Sequence, residues 1–148
     1  MSGDPYRTDV WWDAWRGILF TNAKVLRVVS RDLETGQGIS LVFLDVLSRL
    51  NDEPDHRLRM QELQDRLLFT YSGLTRLVDR IEHAGLVRRE PVPNDRRGVF
   101  VVLAETGAAT YERAMTQHRA DVERVFASRL TPAQHQAVAD ALRSSWED

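Results

Sequence analysis

Asp95-Arg96-Arg97-Gly98 sets two guanidinium groups between a turn-forming carboxylate and a glycine. Arginine presents a planar fork of donors that matches phosphate oxygens and the acceptor edge of guanine. Carried on a thin protruding loop, Arg96 and Arg97 suit a minor groove, where narrow A·T tracts concentrate negative potential. A second set lies upstream: Thr70-Tyr71-Ser72-Gly73, then Thr75, Arg76 and Arg80. Small hydroxyl residues and glycine at the opening of a helix let its N-terminus approach phosphate, where free N–H groups and the positive dipole end meet the charge. Tyr71, Ser72, Thr75 and Arg76 also have the reach for base edges in a major groove. The chemistry on offer is non-covalent recognition of double-stranded nucleic acid. Two plainer alternatives stay open at this level: a solubilising hairpin tip, and an exposed helix in which Arg76 pairs with Asp79.

Other chemistries find little support. His56, His83, His118 and His135 lack metal-ligand spacing. The chain has no cysteine, so no thiolate binds zinc and no thiol senses oxidants. Glycine-rich phosphate loops, HExxH helices and nucleophile elbows do not occur in the sequence. Asp45 and Glu62 read as surface or helix-end carboxylates rather than an acid–base pair. The expectation is a protein that is not an enzyme and uses no metal or cofactor.

A net charge of −2 over 148 residues argues against a nucleic-acid partner only as an average. Between residues 57 and 97 nine arginines face six acids, a local excess of +3. Of the 20 basic residues all but Lys24 are arginine. Hydrophobic residues at 43% and charged residues at 28% are ordinary for a globular protein of one domain. No apolar run approaches the ~20 residues that cross a bilayer. Met1-Ser2-Gly3-Asp4-Pro5 lacks the basic-then-apolar layout of a signal peptide, so a cytoplasmic location is expected.

These groups need elements to hold them. The spacing of Trp11, Trp15, Ile18, Leu26, Val29 and Leu33 predicts one long helix from about Thr8 to Leu33, ended by Gly36 and Gly38. Its apolar stripe, widened by Trp12, Leu19, Phe20, Ala23 and Val25, is broader than one small core needs. Ser40 is an N-cap for a short helix, Leu41 to Leu50. An extended piece, Arg57 to Arg59, leads into a helix from Met60 to Leu68. A turn at Phe69-Thr70 precedes a second helix, Tyr71 to Ala84, closed by Gly85. Leu74, Leu77, Val78 and Ile81 form its inward stripe. The period then changes from 3.6 to 2: Leu86 to Glu90 and Val99 to Leu103 read as strands joined by a long loop, Pro91 to Gly98. Two helices finish the chain, Glu105 to Ser128 and one from the Thr131 N-cap and Pro132 to near Trp146.

The run LRMQELQDRLLFTYSGLTRLVDRIEHAGLVRREPVPNDRRGVFVVLAETG, Leu58 to Gly107, resembles the MarR family of bacterial transcription regulators. The matching pieces are Glu62-Leu63, the stretch Ser72 to Arg80, Gly85-Leu86-Val87 and Asp95 to Gly98. The resemblance implies a mainly α fold with a small β-hairpin wing, a winged helix-turn-helix flanked by N- and C-terminal dimerisation helices. One domain over 1–148 would divide into dimerisation helices at 8–34 and 105–148 and a DNA-binding lobe at 40–104. Thr70 to Arg80 would enter the major groove and Arg97 the minor groove, with Asp95 orienting it. Two reading helices of a homodimer, held ~34–36 Å apart, match a palindromic operator. A small molecule, often an aromatic anion, would weaken binding. By the same analogy its cleft would lie between the dimer helices and the DNA-binding lobe, lined by Trp15, Phe43 and His118, with Arg16 as anion partner. Three residues depart from the family pattern: Arg59 replaces a Thr or Ser cap, Gln64 a small Ala, and Ala104 a Thr cap. A winged-helix protein-interaction module and a nonspecific DNA-binding protein remain the alternative functions, and only the DNA reading makes the arginines indispensable.

Overall fold

A computed structural model describes residues 9–68 and 72–143. The elements run α1 (Val10–Gln37), α2 (Leu41–Asn51), β1 (Arg57–Arg59), α3 (Met60–Arg66), α4 (Leu74–His83), β2 (Val87–Val92), β3 (Asp95–Leu103), α5 (Glu105–Val125), a 3-10 turn at Ala127–Arg129, and α6 (Pro132–Arg143). They form two compact units. One comprises Leu33–Gln117, and the other joins the chain up to Asp32 with the chain from His118 onward.

The central unit is a winged helix-turn-helix. Its core gathers Phe43, Val46, Leu47 and Leu50 of α2 with Leu63 of α3, Leu74, Leu77, Val78 and Ile81 of α4, and Leu58, Val87, Val101 and Leu103 of the sheet. The sheet is antiparallel in the order β1-β3-β2, so the piece at Arg57–Arg59 is a true third strand. Alternation along β3 sends Val101 and Leu103 inward, while Phe100 lies opposite Arg59 on one side and Glu90 on the other.

Several boundaries differ from the sequence expectation, each for a local reason. The first helix continues through Gly36 to Gln37 and stops at Gly38, whose φ of +69° turns the chain. Inside the helix, a Cβ at Gly36 would meet the Gln117 amide of α5, which accepts a 2.9 Å hydrogen bond from Gln37 Nε2. The wing strands are longer than expected and leave only Pro93-Asn94 as a turn, with Asn94 at φ +63°. Val92 is buried and pairs with Asp95, whereas Pro91 pairs with Val99. Arg96, Arg97 and Gly98 therefore bulge from the second strand instead of forming the tip of an eight-residue loop. The proline-rich composition hid this pairing.

The helix expected from Tyr71 starts at Leu74, and Ser72 and Gly73 lie in the turn before it. Gly73 adopts φ +100°, a left-handed conformation that disfavours a Cβ, and nothing lies within 4 Å of where one would be. Crowding is thus not its reason; backbone angle is. Gly73→Ala is expected to destabilise by about 1–2 kcal/mol, measured by denaturant midpoint. An unchanged midpoint would mean the turn relaxes without strain.

The second unit stands on α6 and the adjoining parts of α1 and α5. Thr131 caps α6, accepting from the Gln134 N–H while its own N–H donates to Gln134 Oε1. Arg124 bridges Asp32 and Asp121, at 2.7 Å each. Arg31, and after it Arg124, hold the Asp32 carboxyl below its ordinary range. Along α1 the apolar stripe is largely uncovered in the single chain: Val10, Trp11, Trp15, Ile18, Leu19 and Phe20 are all exposed.

Candidate nucleic-acid interface

The central unit sorts its arginines into two classes by how they are held. Arg89 of β2 is locked inward: its guanidinium pairs with Asp79 at 2.7 Å and with Glu82, and donates to the Thr75 carbonyl at 3.1 Å. Its N–H also donates to Glu82 Oε1, so this one residue pins α4 to the root of the wing. Arg88 pairs with Glu90, Arg66 with Glu53, and Arg49 with the buried Asp45. Arg59 pairs with Asp95 at 3.1 Å.

Arg76, Arg96 and Arg97 are exposed and have no carboxylate partner among the described residues. The Arg76–Asp79 pair that the sequence left open does not form, because Arg89 takes Asp79. Arg80 likewise has no ion pair among the described residues; its guanidinium lies over the Phe43 ring, 5.3 Å from the centroid. A cation held on an aromatic face keeps its charge and loses conformational freedom. Among the described residues, guanidiniums without a carboxylate partner thus cluster on α4 and on the wing bulge; Arg113 of α5 also lacks one and donates to the Thr110 hydroxyl at 3.3 Å.

Local structure prepares both places. Ser72, Gly73 and Thr75 are exposed around the start of α4, where the first turn leaves N–H groups without helical acceptors. Thr70 and Tyr71, expected to join them, lie outside the described residues. In the wing, Asp95 Oδ1 accepts from the N–H groups of Arg97 (3.1 Å) and Gly98 (3.0 Å). Asp95 therefore orders Arg97 through its main chain, while its ion pair goes to Arg59.

Asp45 was undervalued by its sequence position. It is buried on α2, and its Oδ2 accepts from the Leu68 N–H at 2.7 Å, tying the chain just before the reading turn to the core. Hydrophobic neighbours on both sides in the sequence were the available signal, since a charge amid Leu44, Val46 and Leu47 must be partnered.

Of the residues expected around an effector, Phe43 is buried in the central unit, where its ring supports Arg80. Trp15, Arg16 and His118 belong to the other unit. Trp15 is half-exposed, and Arg16 lies over the Phe20 ring. His118 Nδ1 and Asp121 Oδ2 are enclosed without a hydrogen-bond partner. Burial holds the His118 imidazole below the ordinary histidine range, opposed by the Asp121 carboxylate. A histidine depressed in the folded state is protonated first in the unfolded chain. Its contribution is therefore full above the unfolded value and lost as pH falls through that value toward the folded one. From about pH 7.5 to 5.5, the Tm of the wild type is expected to drop further than that of His118→Gln. Equal drops would assign the pH dependence to other groups.

The same unit holds an apolar cavity of about 580 Å³. It lies among Ile18 and Val25 of α1, Val122 and Phe126 of α5, and Val138 and Leu142 of α6. Among the described residues no helix is long and apolar enough to cross a membrane, and no three His, Asp or Glu side chains group as metal ligands.

With this geometry in place, known proteins supply context. Residues 37–98 match a family model described as the MarR family. The chain is 28% identical to the HTH-type transcriptional regulator PecS of Dickeya dadantii over 105 residues, 68% of this chain and 63% of PecS. It is 39% identical to the multiple antibiotic resistance protein MarR of Escherichia coli over 70 residues, covering 47% of this chain and 49% of that one. The chain thus matches about half to somewhat under two thirds of the length of these relatives. AbsC, a MarR family transcriptional regulator from Streptomyces coelicolor, superposes with a TM-score of 0.82 at 33% identity, covering 95% of this chain and 94% of AbsC. Sco3205 of the same organism, solved in complex with DNA, superposes at 0.80 with 32% identity, covering 90% of this chain and 84% of Sco3205.

Proposed function

This chain belongs to the MarR family of transcriptional regulators, not of enzymes, and on that premise we propose that it is a cytoplasmic, sequence-specific repressor binding palindromic operators as a homodimer. The observation that carries the proposal is where the lobe leaves arginines without a carboxylate: among the described residues Arg49, Arg59, Arg66, Arg88 and Arg89 are ion-paired, whereas Arg76 and Arg80 on the reading helix and Arg96 and Arg97 on the wing are not. The likeness to Sco3205, whose structure was solved in complex with DNA, supports DNA as the partner. Thr70, Tyr71, Ser72, Gly73, Thr75, Arg76 and Arg80 serve the major groove, and Arg97, beside Arg96 and Asp95, the minor groove.

The homodimer rests on the uncovered tryptophans of α1 and on the apolar cavity of their unit, surfaces a second copy would remove from water. A small aromatic anion is proposed to release the DNA, with Trp15, Arg16 and His118 of the second unit as candidate contacts. Their support is the unsatisfied His118 nitrogen and the cation at Arg16.

The test is a gel-shift titration against the chain's own promoter region and random duplex, paired with ultracentrifugation. Tight, promoter-selective binding by a dimer is expected. Equal affinity for both duplexes would make the protein a nonspecific binder, and no binding at all would leave a protein-interaction module. A screen of small aromatic acids for release of the bound duplex tests the effector; an inert panel would remove it.

A further inference from the structure

We infer that Arg59, at the start of the helix-turn-helix, is a positioning residue that braces the wing through Asp95 and so presents Arg97 to the minor groove. The inference rests on the DNA-binding reading above and deepens it.

The bulge of Arg96, Arg97 and Gly98 lies between the pairs Pro91–Val99 and Val92–Asp95, where the ladder is irregular. Proline at position 91 has no N–H to give that ladder. The fastening of the bulge is the Asp95 carboxylate, which accepts the Arg97 and Gly98 N–H groups on Oδ1. A Cβ on Gly98 would stand 2.6 Å from Asp95 Oδ2, so the glycine is what lets the carboxylate fold across the bulge. Its second oxygen is taken by Arg59 Nη1 at 3.1 Å.

Arg59 is itself fixed from three directions. Its main chain pairs with Phe100 at the end of β1, and its N–H donates to Glu62 Oε2 at 2.8 Å in the first turn of α3. Its guanidinium also lies over the Phe100 ring, 5.9 Å from the centroid, beside that of Arg57 at 4.8 Å. A side chain at the N-cap of α3 thus reaches the wing 36 residues later and ties the start of the helix-turn-helix to the wing. The cap itself is made by Glu62 and the Arg59 main chain. The side chain is free for the brace, which accounts for arginine where a capping Thr or Ser was expected.

Two measurements test this. In the free protein, Arg59→Ala is expected to speed amide hydrogen exchange at Arg97 and Gly98 by about two- to fivefold, the range an exposed ion pair supports, with Arg59→Lys closer to wild type. Unchanged exchange would overturn the inference whatever DNA binding shows. On operator duplex, Arg59→Ala is expected to lose a similar factor in affinity and some preference for A·T flanks. Combining it with Asp95→Asn should cost no more than the larger single change, and the salt dependence should stay as in wild type. Additive losses, or a salt slope lower by about one, would make Arg59 an independent phosphate contact and overturn the brace. Faster exchange together with a wild type that binds no operator would instead overturn the DNA-binding reading and with it the assignment of Arg97's target, leaving the brace as a feature of the wing.

Discussion

Gly107→Ala is expected to destabilise the central unit by about 3 kcal/mol or more, the upper range for overpacking a buried position. Ordinary helix propensity points the other way, since alanine is favoured over glycine inside a helix by ~1 kcal/mol. Position decides the sign. Gly107 is buried in the first turn of α5, and a Cβ there would run into the Leu86 carbonyl oxygen, with Leu103 Cδ1 and the Leu86 carbonyl carbon each 2.9 Å away. That oxygen also accepts the Ala104 N–H at 3.0 Å, so the clash falls on a main-chain hydrogen bond and no side chain can swing aside. The bond is part of how α5 starts without the Thr cap expected there; Thr106 adds another, donating its hydroxyl to the Gly85 carbonyl. Thermal and denaturant unfolding measure the effect. A loss below about 1 kcal/mol would mean that α5 shifts outward at little cost. Gly36→Ala is the informative contrast, because the atoms it meets belong to the flexible Gln117 side chain.

Arg97→Ala is expected to weaken operator binding by about 1–3 kcal/mol, five- to 150-fold, while leaving the proposed dimer intact. The guanidinium is exposed and carries no ion pair among the described residues, so its removal leaves no orphaned carboxylate and little change in folding stability. Loss of affinity with unchanged Tm isolates recognition from folding. If the minor groove is its target, the penalty should shrink on duplexes with G·C flanks, whose wider groove attracts an arginine less. Unchanged affinity would remove the wing from the mechanism. A falling Tm would return Arg97 to the fold.

Local chemistry wrote much of this molecule directly into its sequence. The stripe Leu74, Leu77, Val78 and Ile81 can bury itself in only one way, which turns Thr75, Arg76 and Arg80 outward before any partner is known. The Ser40 cap, the Thr131-Pro132 start and the change of period after Gly85 likewise act over a few residues, and all three were legible. The wing's existence was legible too; its pairing was not, because prolines and turn formers mark a loop regardless of which strand lies opposite.

What only the tertiary structure decided was the fate of each charge. Nothing near Arg89 in the chain predicts that it will reach back to Asp79, Glu82 and the Thr75 carbonyl, leaving Arg76 without a partner. Nor does sequence join Arg59 to Asp95 or bury Asp45 beneath Leu68. Periodicity is a property of neighbours along one element, whereas an ion pair depends on two elements meeting at a few ångströms. Candidate DNA contacts could therefore be proposed from sequence alone, but which of their guanidiniums stay unoccupied by carboxylates of the described residues had to await the folded lobe.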